Sequence, residues 1–418
     1  MEKQKKILIP GGKLSDWALV NSAHKLGMYV ITSGTDKKAP AHQFSDKYVC
    51  ADYSDKEAML KLAKDENIDY MCTCANDFGM LSTAYVCEKL GLPGHDSYET
   101  TLDIHTKDRF KPIAKKLGIH APISEVFDNR EDAIKFIKSS TNEMIIKPCD
   151  NVASHGVSHP KSKDEIEKCV DEAFNYSKEK KILVEPFIEG DFATVTSYII
   201  NEEVVAFFAN SSYKYPQGEV IGPEFPDNEL CNGGTEPSIG FKKFSPAIID
   251  DFNKIAKELH LVDGKFHCEL KIDKDFNAHI FDVHRRMSGE PTPWHEWNET
   301  IGFSWTDWIV KAECGMDLSE FPRNAKQNKF IHNRDIYVPK NGILKRVIFD
   351  EYLTSHMYYK IPGIKNYVLF NEFVSDYRHN PIVKGMKFVF DTDEEMEFVA
   401  SYKEDNFYKH ITFEYEEF

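Results

Sequence analysis

The sequence has no pair of cysteines in the Cys-x-x-Cys spacing and no apolar run long enough to cross a membrane. Its nine cysteines are scattered, which argues against a structural zinc site and against a redox dithiol. The apolar stretch that follows the basic N-terminus is far too short for a signal peptide. These absences lead us to expect a cytoplasmic protein whose thiols are reduced.

Positive charge is also in short supply. The chain has 52 Lys and Arg residues against 68 Asp and Glu residues, a formal net charge of -16. A surface this acidic repels phosphate backbones, so we expect neither nucleic acid nor a membrane as a partner. A local basic pocket for a nucleotide is still allowed. With 418 residues, 41% of them hydrophobic, the chain is long enough for two to four globular units.

The dinucleotide-binding fingerprint Gly-x-Gly-x-x-Gly is absent. Gly11 and Gly12 follow the first apolar run, but Lys13 and Ser15 come next, so we predict an ordinary strand-to-helix turn. Short apolar runs and helical patterns then alternate through the first hundred residues. This alternation predicts a parallel sheet with helices on both faces.

The rest of the chain predicts a mixed α+β arrangement. We expect strands at 144–147 and 181–185, separated by a helix at 162–178 whose N-cap is Ser162. A hairpin is expected at 266–283, and strands return after about residue 330.

A lysine and a small-residue loop form the first pattern with chemical content. Lys147 closes an apolar strand, and a loop containing Ser154, His155 and Gly156 follows. An ammonium group beside a loop with free backbone N–H groups suits a triphosphate, because both kinds of donor can bind the phosphate oxygens. A solvent-exposed lysine beside a surface turn would give the same pattern.

Two further patterns are weaker when taken singly. Glu185 ends an apolar strand and precedes a short apolar linker, whose backbone could meet the edge of an adenine while Glu185 accepts from the amino group. An ordinary strand end with a solvated glutamate is the alternative. Lys107 opens a helix, where it could add to an anion site or simply be solvated.

The predicted hairpin carries the fourth pattern. Glu269 lies in an otherwise apolar strand, and Asp282 and His284 share one face of the partner strand because they are two residues apart. Carboxylates are not buried together cheaply without a cation, and Mg²⁺ prefers oxygen ligands shared with phosphates. Arg286 lies on the same face and could neutralise phosphate charge. A solvent-facing polar stripe is the alternative.

In this order the four patterns resemble the ATP-grasp superfamily, and the resemblance covers nearly the whole chain. It is greatest for the branch of amino-acid ligases, biotin carboxylases and carbamoyl-phosphate synthetases. The resemblance implies an N-terminal Rossmann-like domain, a central ATP-grasp domain with a flap subdomain, and a C-terminal β-rich region. The expected boundaries are 1–105 for the Rossmann-like domain, 106–205 for the flap with the nucleotide hinge, 206–325 for the core with the metal-binding strands, and 326–418 for the C-terminal part.

The resemblance also implies roles for individual residues. ATP would be bound by Lys107, Lys147, Ser154, His155, Gly156, Glu185, Phe187 and Ile188. Two Mg²⁺ ions would be held by Glu269, Asp282 and His284. Arg286 and Lys147 would be catalytic, and Arg286, Ser288 and Gly289 would seat the substrate carboxylate. His284 stands where the family usually has asparagine, and a softer imidazole ligand would tolerate Mn²⁺.

The implied reaction joins a carboxylate, such as an amino acid, to an amine through an acyl-phosphate, with release of ADP and phosphate. The partners would be small molecules, and a homodimer is compatible with the family. A biotin-carboxylase-like enzyme and a carbamoyl-phosphate-type synthetase are alternatives. The sequence has no biotinyl Met-Lys-Met segment, which argues against the carboxylase. It has no second copy of the core, which argues against the carbamoyl-phosphate-type synthetase. A nucleotide-binding module with weakened catalysis is a third alternative, supported by His284 alone.

Overall fold

The structure is a computed structural model, which describes residues 3–150, 155–216, 230–289, 301–323, 325, 328–337, 342–352, 367–369, 373–374, 382–400 and 408–415. It divides into two compact units. The first comprises Met1–Gly190, Val195–Phe208 and Lys242–Ala325, and the second comprises Asp191–Thr194, Ala209–Phe241 and Lys326–Phe418. Across the described ranges, we find no helix with both the length and the apolar character needed to span a membrane.

The first unit begins with the predicted parallel sheet. Its strands run in the order β3-β2-β1-β4, all pairs parallel. The strands are β1 (Lys6–Pro10), β2 (Tyr29–Ser33), β3 (Lys47–Val49) and β4 (Tyr70–Met71), and the helices between and after them are α1 (Leu14–Lys25), α2 (Lys56–Glu66) and α3 (Asp77–Leu90). Strand β4 is the shortest of the four, with two residues.

Helices cover both faces of this sheet, as the alternation predicts. Ile7 and Ile9 of β1 pack in one buried cluster with Leu19 of α1, whereas Leu8 packs in another with Met59 of α2 and residues of α3. Successive side chains of a strand point to opposite faces, so the apolar run of β1 is buried on both sides.

The predicted turn after β1 is stabilised by one buried carboxylate. Gly11 has a φ of +95°, a conformation that favours glycine. The side chain of Asp16 accepts hydrogen bonds from the backbone N–H groups of Gly12 and Lys13, each at 2.9 Å. It also accepts one from Ala75 N at 2.9 Å. The amide donors of this turn are therefore used within the chain.

A three-stranded antiparallel sheet follows, in the order β5-β7-β6. Its strands and the neighbouring helices are α4 (Tyr98–His105), α5 (Lys107–Leu117), β5 (Glu125–Phe127), α6 (Arg130–Ser139), β6 (Met144–Pro148), α7 (Ile166–Tyr176) and β7 (Ile182–Pro186). The predicted N-cap Ser162 is wrong, because α7 begins at Ile166 and its N-cap is Glu165. The residues between them make turns rather than a first helical turn.

The larger sheet of the first unit has the strand order β12-β11-β8-β9. The elements are β8 (Asp191–Ile200), β9 (Glu203–Pro216), α8 (Phe241–Leu259), β11 (Gly264–Ile272), β12 (Ala278–His284) and α9 (Trp305–Glu313). Tyr198 of β8 and Trp305 of α9 are both fully buried and belong to the same cluster as Ile7 and Leu19. Strand β8, which lies beside β11 in this sheet, is thus anchored in a continuous core.

The second unit is rich in β-structure, as expected for the C-terminal region. The last part of β9 pairs with β10, which pairs with β13, which pairs with β17. Strand β14 pairs with β15, β16 and β18. The elements are β10 (Leu230–Glu236), β13 (Phe330–Tyr337), β14 (Gly342–Phe349), β15 (Tyr367–Leu369), β16 (Phe373–Val374), β17 (Ile382–Phe390), α10 (Asp393–Ala400) and β18 (Ile411–Tyr415).

Two glycines near the end of α3 provide a matched test of the packing. Gly91 has a φ of +64° and open space around it, whereas Gly94 has a φ of +83° and lies against the end of α9. A Cβ atom at Gly94 would stand 2.3 Å from the carbonyl oxygen of Ala312, and backbone cannot move aside as a flexible side chain can. We expect Gly91→Ala to lower the free energy of unfolding by about 1–2 kcal/mol.

We expect Gly94→Ala to lower the free energy of unfolding by at least about 2 kcal/mol more than Gly91→Ala does, because overpacking adds to the same backbone strain. Urea unfolding of both variants measures the difference. Equal losses in the two variants would show that Gly94 is not in close contact with α9.

Candidate active site

The centre of the site is a pair of carboxylates on adjacent strands. Glu269 of β11 is directly opposite Asp282 of β12, and His267 is directly opposite His284, so all four lie on one face of the hairpin. Burial raises the pKa of Glu269, and the charge of Asp282 raises it further. Two facing carboxylates with this electrostatic conflict form a suitable oxygen donor set for a hard divalent cation.

Lysines partly relieve the conflict. Lys107, the first residue of α5, has its Nζ 3.1 Å from Oδ1 of Asp282. Burial alone would raise the pKa of Asp282, but Lys107 and Lys147 outweigh it and hold the pKa at about 2. The sequence patterns containing Lys107 and Asp282 therefore meet at one place, although 175 positions separate these two residues.

Glu185 on β7 is enclosed by cations and a hydroxyl group. Its two carboxylate oxygens contact Nζ of Lys147 and Nζ of Lys111, the latter at 2.9 Å, and Ser124 Oγ donates to it at 2.7 Å. Only 2% of Glu185 is exposed. Burial would raise its pKa, but the two lysines hold it at about 2. The expected contact of Glu185 with an adenine amino group stays a prediction.

Lys111 was not predicted from the sequence. It lies four residues after Lys107, one turn along α5, and the two lysines therefore share a helix face. That spacing was the available signal. It places two ammonium groups of one helix beside two different carboxylates of the site.

The linker after β7 contains Phe187 and Ile188, both half-buried. The ring of Phe187 stacks on His159, with 3.8 Å between centroids, and Lys161 Nζ lies 5.3 Å from the Phe187 centroid. Phe187 N donates to the carbonyl oxygen of Glu143 at 2.9 Å. His159 was not predicted from the sequence. Its ring packs on the linker through Phe187, where a flat ligand could also stack.

The predicted flap lies between β6 and α7. The rings of His155 and Tyr176 are stacked with centroids 6.1 Å apart. Gly156 has a φ of +76°, and a Cβ atom there would lie 2.7 Å from Tyr176 Cβ, so this position requires glycine. Ser154 lies outside the described residues.

Arg286 is paired with a residue from a distant element. Its Nε donates to Oδ1 of Asp77 at 2.5 Å and its Nη2 to Oδ2 at 3.2 Å, while Nη1 donates to the carbonyl oxygen of Met287. Burial would raise the pKa of Asp77, but His284, Arg286 and His105 hold it far below its usual range. Ser288 and Gly289 lie two and three residues after Arg286 in the chain, and Ser288 is half-buried whereas Gly289 is exposed.

Histidines complete this corner of the site. Asp77 Oδ1 lies 3.1 Å from His284 Nδ1 and 3.8 Å from His105 Nδ1. Burial lowers the pKa of His105 to about 4, so its ring is neutral near pH 7. Asp77 and His105 were not predicted, although Asp77 directly follows the helix cap Asn76 at a strand-to-helix junction. The predicted ligand set of Glu269, Asp282 and His284 stays a prediction.

Arg285 has a structural role. Its Nε donates to Asp96 at 2.6 Å and its Nη1 to the carbonyl oxygen of Lys265 at 2.5 Å. It therefore fixes the backbone immediately after β12, where His284 and Arg286 flank it.

Comparison with known proteins extends this picture. Residues 106–219 match the family described as phosphoribosylglycinamide synthetase, ATP-grasp (A) domain. The formate-dependent phosphoribosylglycinamide formyltransferase of Histophilus somni (strain 129Pt) is 23% identical over 220 residues, which are 52% of this chain and 56% of that protein. The chain thus spans little more than half the length of this curated relative.

Solved structures match over the whole length. Phosphoribosylglycinamide synthetase from Anaerococcus prevotii superposes with a TM-score of 0.72 at 19% identity, covering 99% of this chain and 100% of that one. An L-amino acid ligase from Bacillus licheniformis has a TM-score of 0.70 at 17% identity, covering 100% of both chains. At these identities the likeness establishes the fold. Residues 106–219 are thus similar to an ATP-grasp domain, and the chain as a whole shares the fold of these two solved structures.

Proposed function

We propose that the chain is an ATP-dependent ligase that joins a carboxylate to an amine through an acyl-phosphate and releases ADP and phosphate. The observation that carries the proposal is the pair of facing carboxylates Glu269 and Asp282, with Lys107 in contact with Asp282 and Lys147 near enough to lower its pKa. Paired carboxylates beside paired ammonium groups suit a metal-bound polyphosphate, because each charge type of the ligand finds its opposite.

Lys107 and Lys147 would bind the phosphates of ATP. In the structure each ammonium group is held by a carboxylate, Asp282 for Lys107 and Glu185 for Lys147. These ion pairs orient the lysines before a nucleotide arrives, so little ordering is left to the binding step. The flap with His155 and Gly156 would cover the phosphates and exclude water, which otherwise hydrolyses an acyl-phosphate.

Glu269 and Asp282 would hold Mg²⁺, with His284 as a further ligand that also suits Mn²⁺. The bound metal supplies charge neutralisation on the phosphates during transfer. Phe187 and Ile188 would frame the adenine together with His159, whose ring already stacks on Phe187.

Arg286 would steady the carbonyl-phosphate oxygens, with Ser288 and Gly289 seating the carboxylate. An amino acid is the proposed carboxylate, and the L-amino acid ligase that superposes over the full length of both chains supports this choice. The division into domains at 1–105, 106–205, 206–325 and 326–418, the cytoplasmic location and a homodimer remain parts of the proposal.

The first test concerns the phosphate lysine. Lys147→Ala should lower ATP turnover at least about 100-fold, the scale for loss of a transition-state contact. Folding should survive because Lys111 still neutralises Glu185. Lys138→Ala, which removes an exposed lysine paired with Glu167, is the matched control and should be unaffected. Near-normal turnover in folded Lys147→Ala would contradict the assignment.

The second test concerns the metal ligands. Glu269→Gln and Asp282→Asn should each abolish magnesium-dependent turnover, because each removes a charged oxygen ligand. His284→Asn should retain it, since an amide oxygen takes the place of the imidazole. Turnover is measured with Mg²⁺ and with Mn²⁺. A dead His284→Asn variant, with a wild type that works only with a softer metal, would show that the magnesium assignment is wrong.

The third test traps the intermediate. An acyl-phosphate is electrophilic, so hydroxylamine should intercept it when the amine is absent and give a hydroxamate together with ADP. Amino acids are screened as the carboxylate, and the products are identified by mass spectrometry.

Release of AMP and pyrophosphate would mean adenylation and would refute the proposal. ADP release that depends on bicarbonate and biotin, without any organic acid, would favour a carboxylase instead.

A further inference from the structure

A second group of ligand-type side chains lies beside the carboxylates of the hairpin. It consists of Asp77 at the start of α3, His105 at the end of α4 and His284 at the end of β12. One ligand atom from each residue lies within 4.8 Å of the other two. Three separate elements of the first unit therefore converge at this point.

The three side chains lie close together, but the Nδ1 atoms of both histidines lack a well-aligned hydrogen bond. Asp77 Oδ1 lies 3.1 Å from His284 Nδ1 and 3.8 Å from His105 Nδ1. Neither Nδ1 atom makes a hydrogen bond to any part of the chain that the structure describes, although both atoms are buried. His284 is only 6% exposed. A buried ring nitrogen without a partner is costly, so the arrangement needs something to satisfy both rings.

A metal ion would satisfy both. Nitrogen and oxygen ligands at about 2.0–2.2 Å from a tetrahedral ion stand about 3–3.5 Å from one another. The distance of 3.1 Å between Asp77 and His284 falls in this range, and the distance of 3.8 Å between Asp77 and His105 is slightly longer. Two imidazoles and one carboxylate form a donor set that favours a divalent transition metal over Mg²⁺. A simple ion-pair cluster fits less well, because neither Nδ1 atom is aligned for a hydrogen bond, although His284 Nδ1 lies 3.1 Å from Asp77 Oδ1.

The positive charge of Arg286 would repel a cation bound at this site. Both of its hydrogen bonds to Asp77 use the carboxylate as an acceptor, through Nε at 2.5 Å and Nη2 at 3.2 Å. Carboxylates that bind metals are commonly held by a second hydrogen-bonding partner, which fixes their orientation. Glu269 and Asp282 supply further negative charge on the same face as His284.

We propose that Asp77, His105 and His284 form a binding site for one divalent transition-metal ion of the zinc type, in which His284 serves this ion instead of the Mg²⁺ assigned to Glu269 and Asp282. Three protein ligands leave a coordination position open, as in zinc sites that bind water or a small anion. The open position would take a water molecule or a carboxylate oxygen. This site accounts for an imidazole at 284, where the ATP-grasp pattern has an amide.

The test uses the full-length chain without a histidine tag, stripped of metal and free of nucleotide. Zn²⁺ is titrated in competition with a chromophoric chelator, and Co²⁺ binding is followed by visible absorption. We expect one tight equivalent per chain, and a Co²⁺ spectrum of an ion with nitrogen ligands. Asp77→Asn and His105→Gln should each weaken Zn²⁺ binding at least about tenfold, the scale for loss of a supporting group at a metal site.

Two control variants separate this site from its surroundings. His260→Gln removes a largely exposed histidine and should leave the affinity unchanged. Glu269→Gln should weaken Zn²⁺ binding less than His105→Gln does, although it abolishes magnesium-dependent turnover, which distinguishes failure of this inference from failure of the proposed ligase function.

Absence of a stoichiometric site in the wild type would overturn the inference, even if a variant fails to fold. So would Zn²⁺ binding that survives His105→Gln but is lost in Glu269→Gln, because the hairpin carboxylates would then be the ligands.

Discussion

The facing carboxylates Glu269 and Asp282 impose the constraint on which the rest of the site depends. Adjacent strands fix them opposite each other, so neither can turn away without breaking the register of the hairpin. Their repulsion in a poorly hydrated setting has to be offset by cations. Lys107 contacts Asp282 directly, and Lys147 adds its field from β6. The lysines thus offset the negative charge of Glu269 and Asp282. A bound metal ion would offset the same charge, and the lysines could then bind a polyphosphate.

A second carboxylate arranges the lysines themselves. Glu185 is almost fully buried and binds Lys147 and Lys111, while Lys111 and Lys107 share one face of α5. One helix therefore couples the two anionic centres, and its position decides where both ammonium groups stand. Loss of both Lys111 and Lys147 would leave Glu185 as a lone buried charge, which is costly, whereas either lysine alone still neutralises it.

Much of the fold and part of the candidate site could be predicted from the sequence. The two-residue spacing of Asp282 and His284 predicted their shared face, and the two apolar runs within 266–283 predicted the hairpin. Asp77 and His105 escaped prediction because only the tertiary fold brings α3 and α4 to the end of β12. The start of α7 was wrong for a local reason. Ser162 resembles a cap, but turns occupy 163–165 and the helix begins later.

The central claim is that a carboxylate oxygen attacks the terminal phosphate of ATP. A carboxylate substrate labelled with ¹⁸O tests this directly, with the inorganic phosphate analysed by mass spectrometry after turnover with the amine. The account predicts that one labelled oxygen passes from the carboxylate to phosphate, because cleavage of the acyl-phosphate leaves that oxygen on phosphorus. Label found in AMP, or phosphate that carries no label while the ligated product forms, would contradict it.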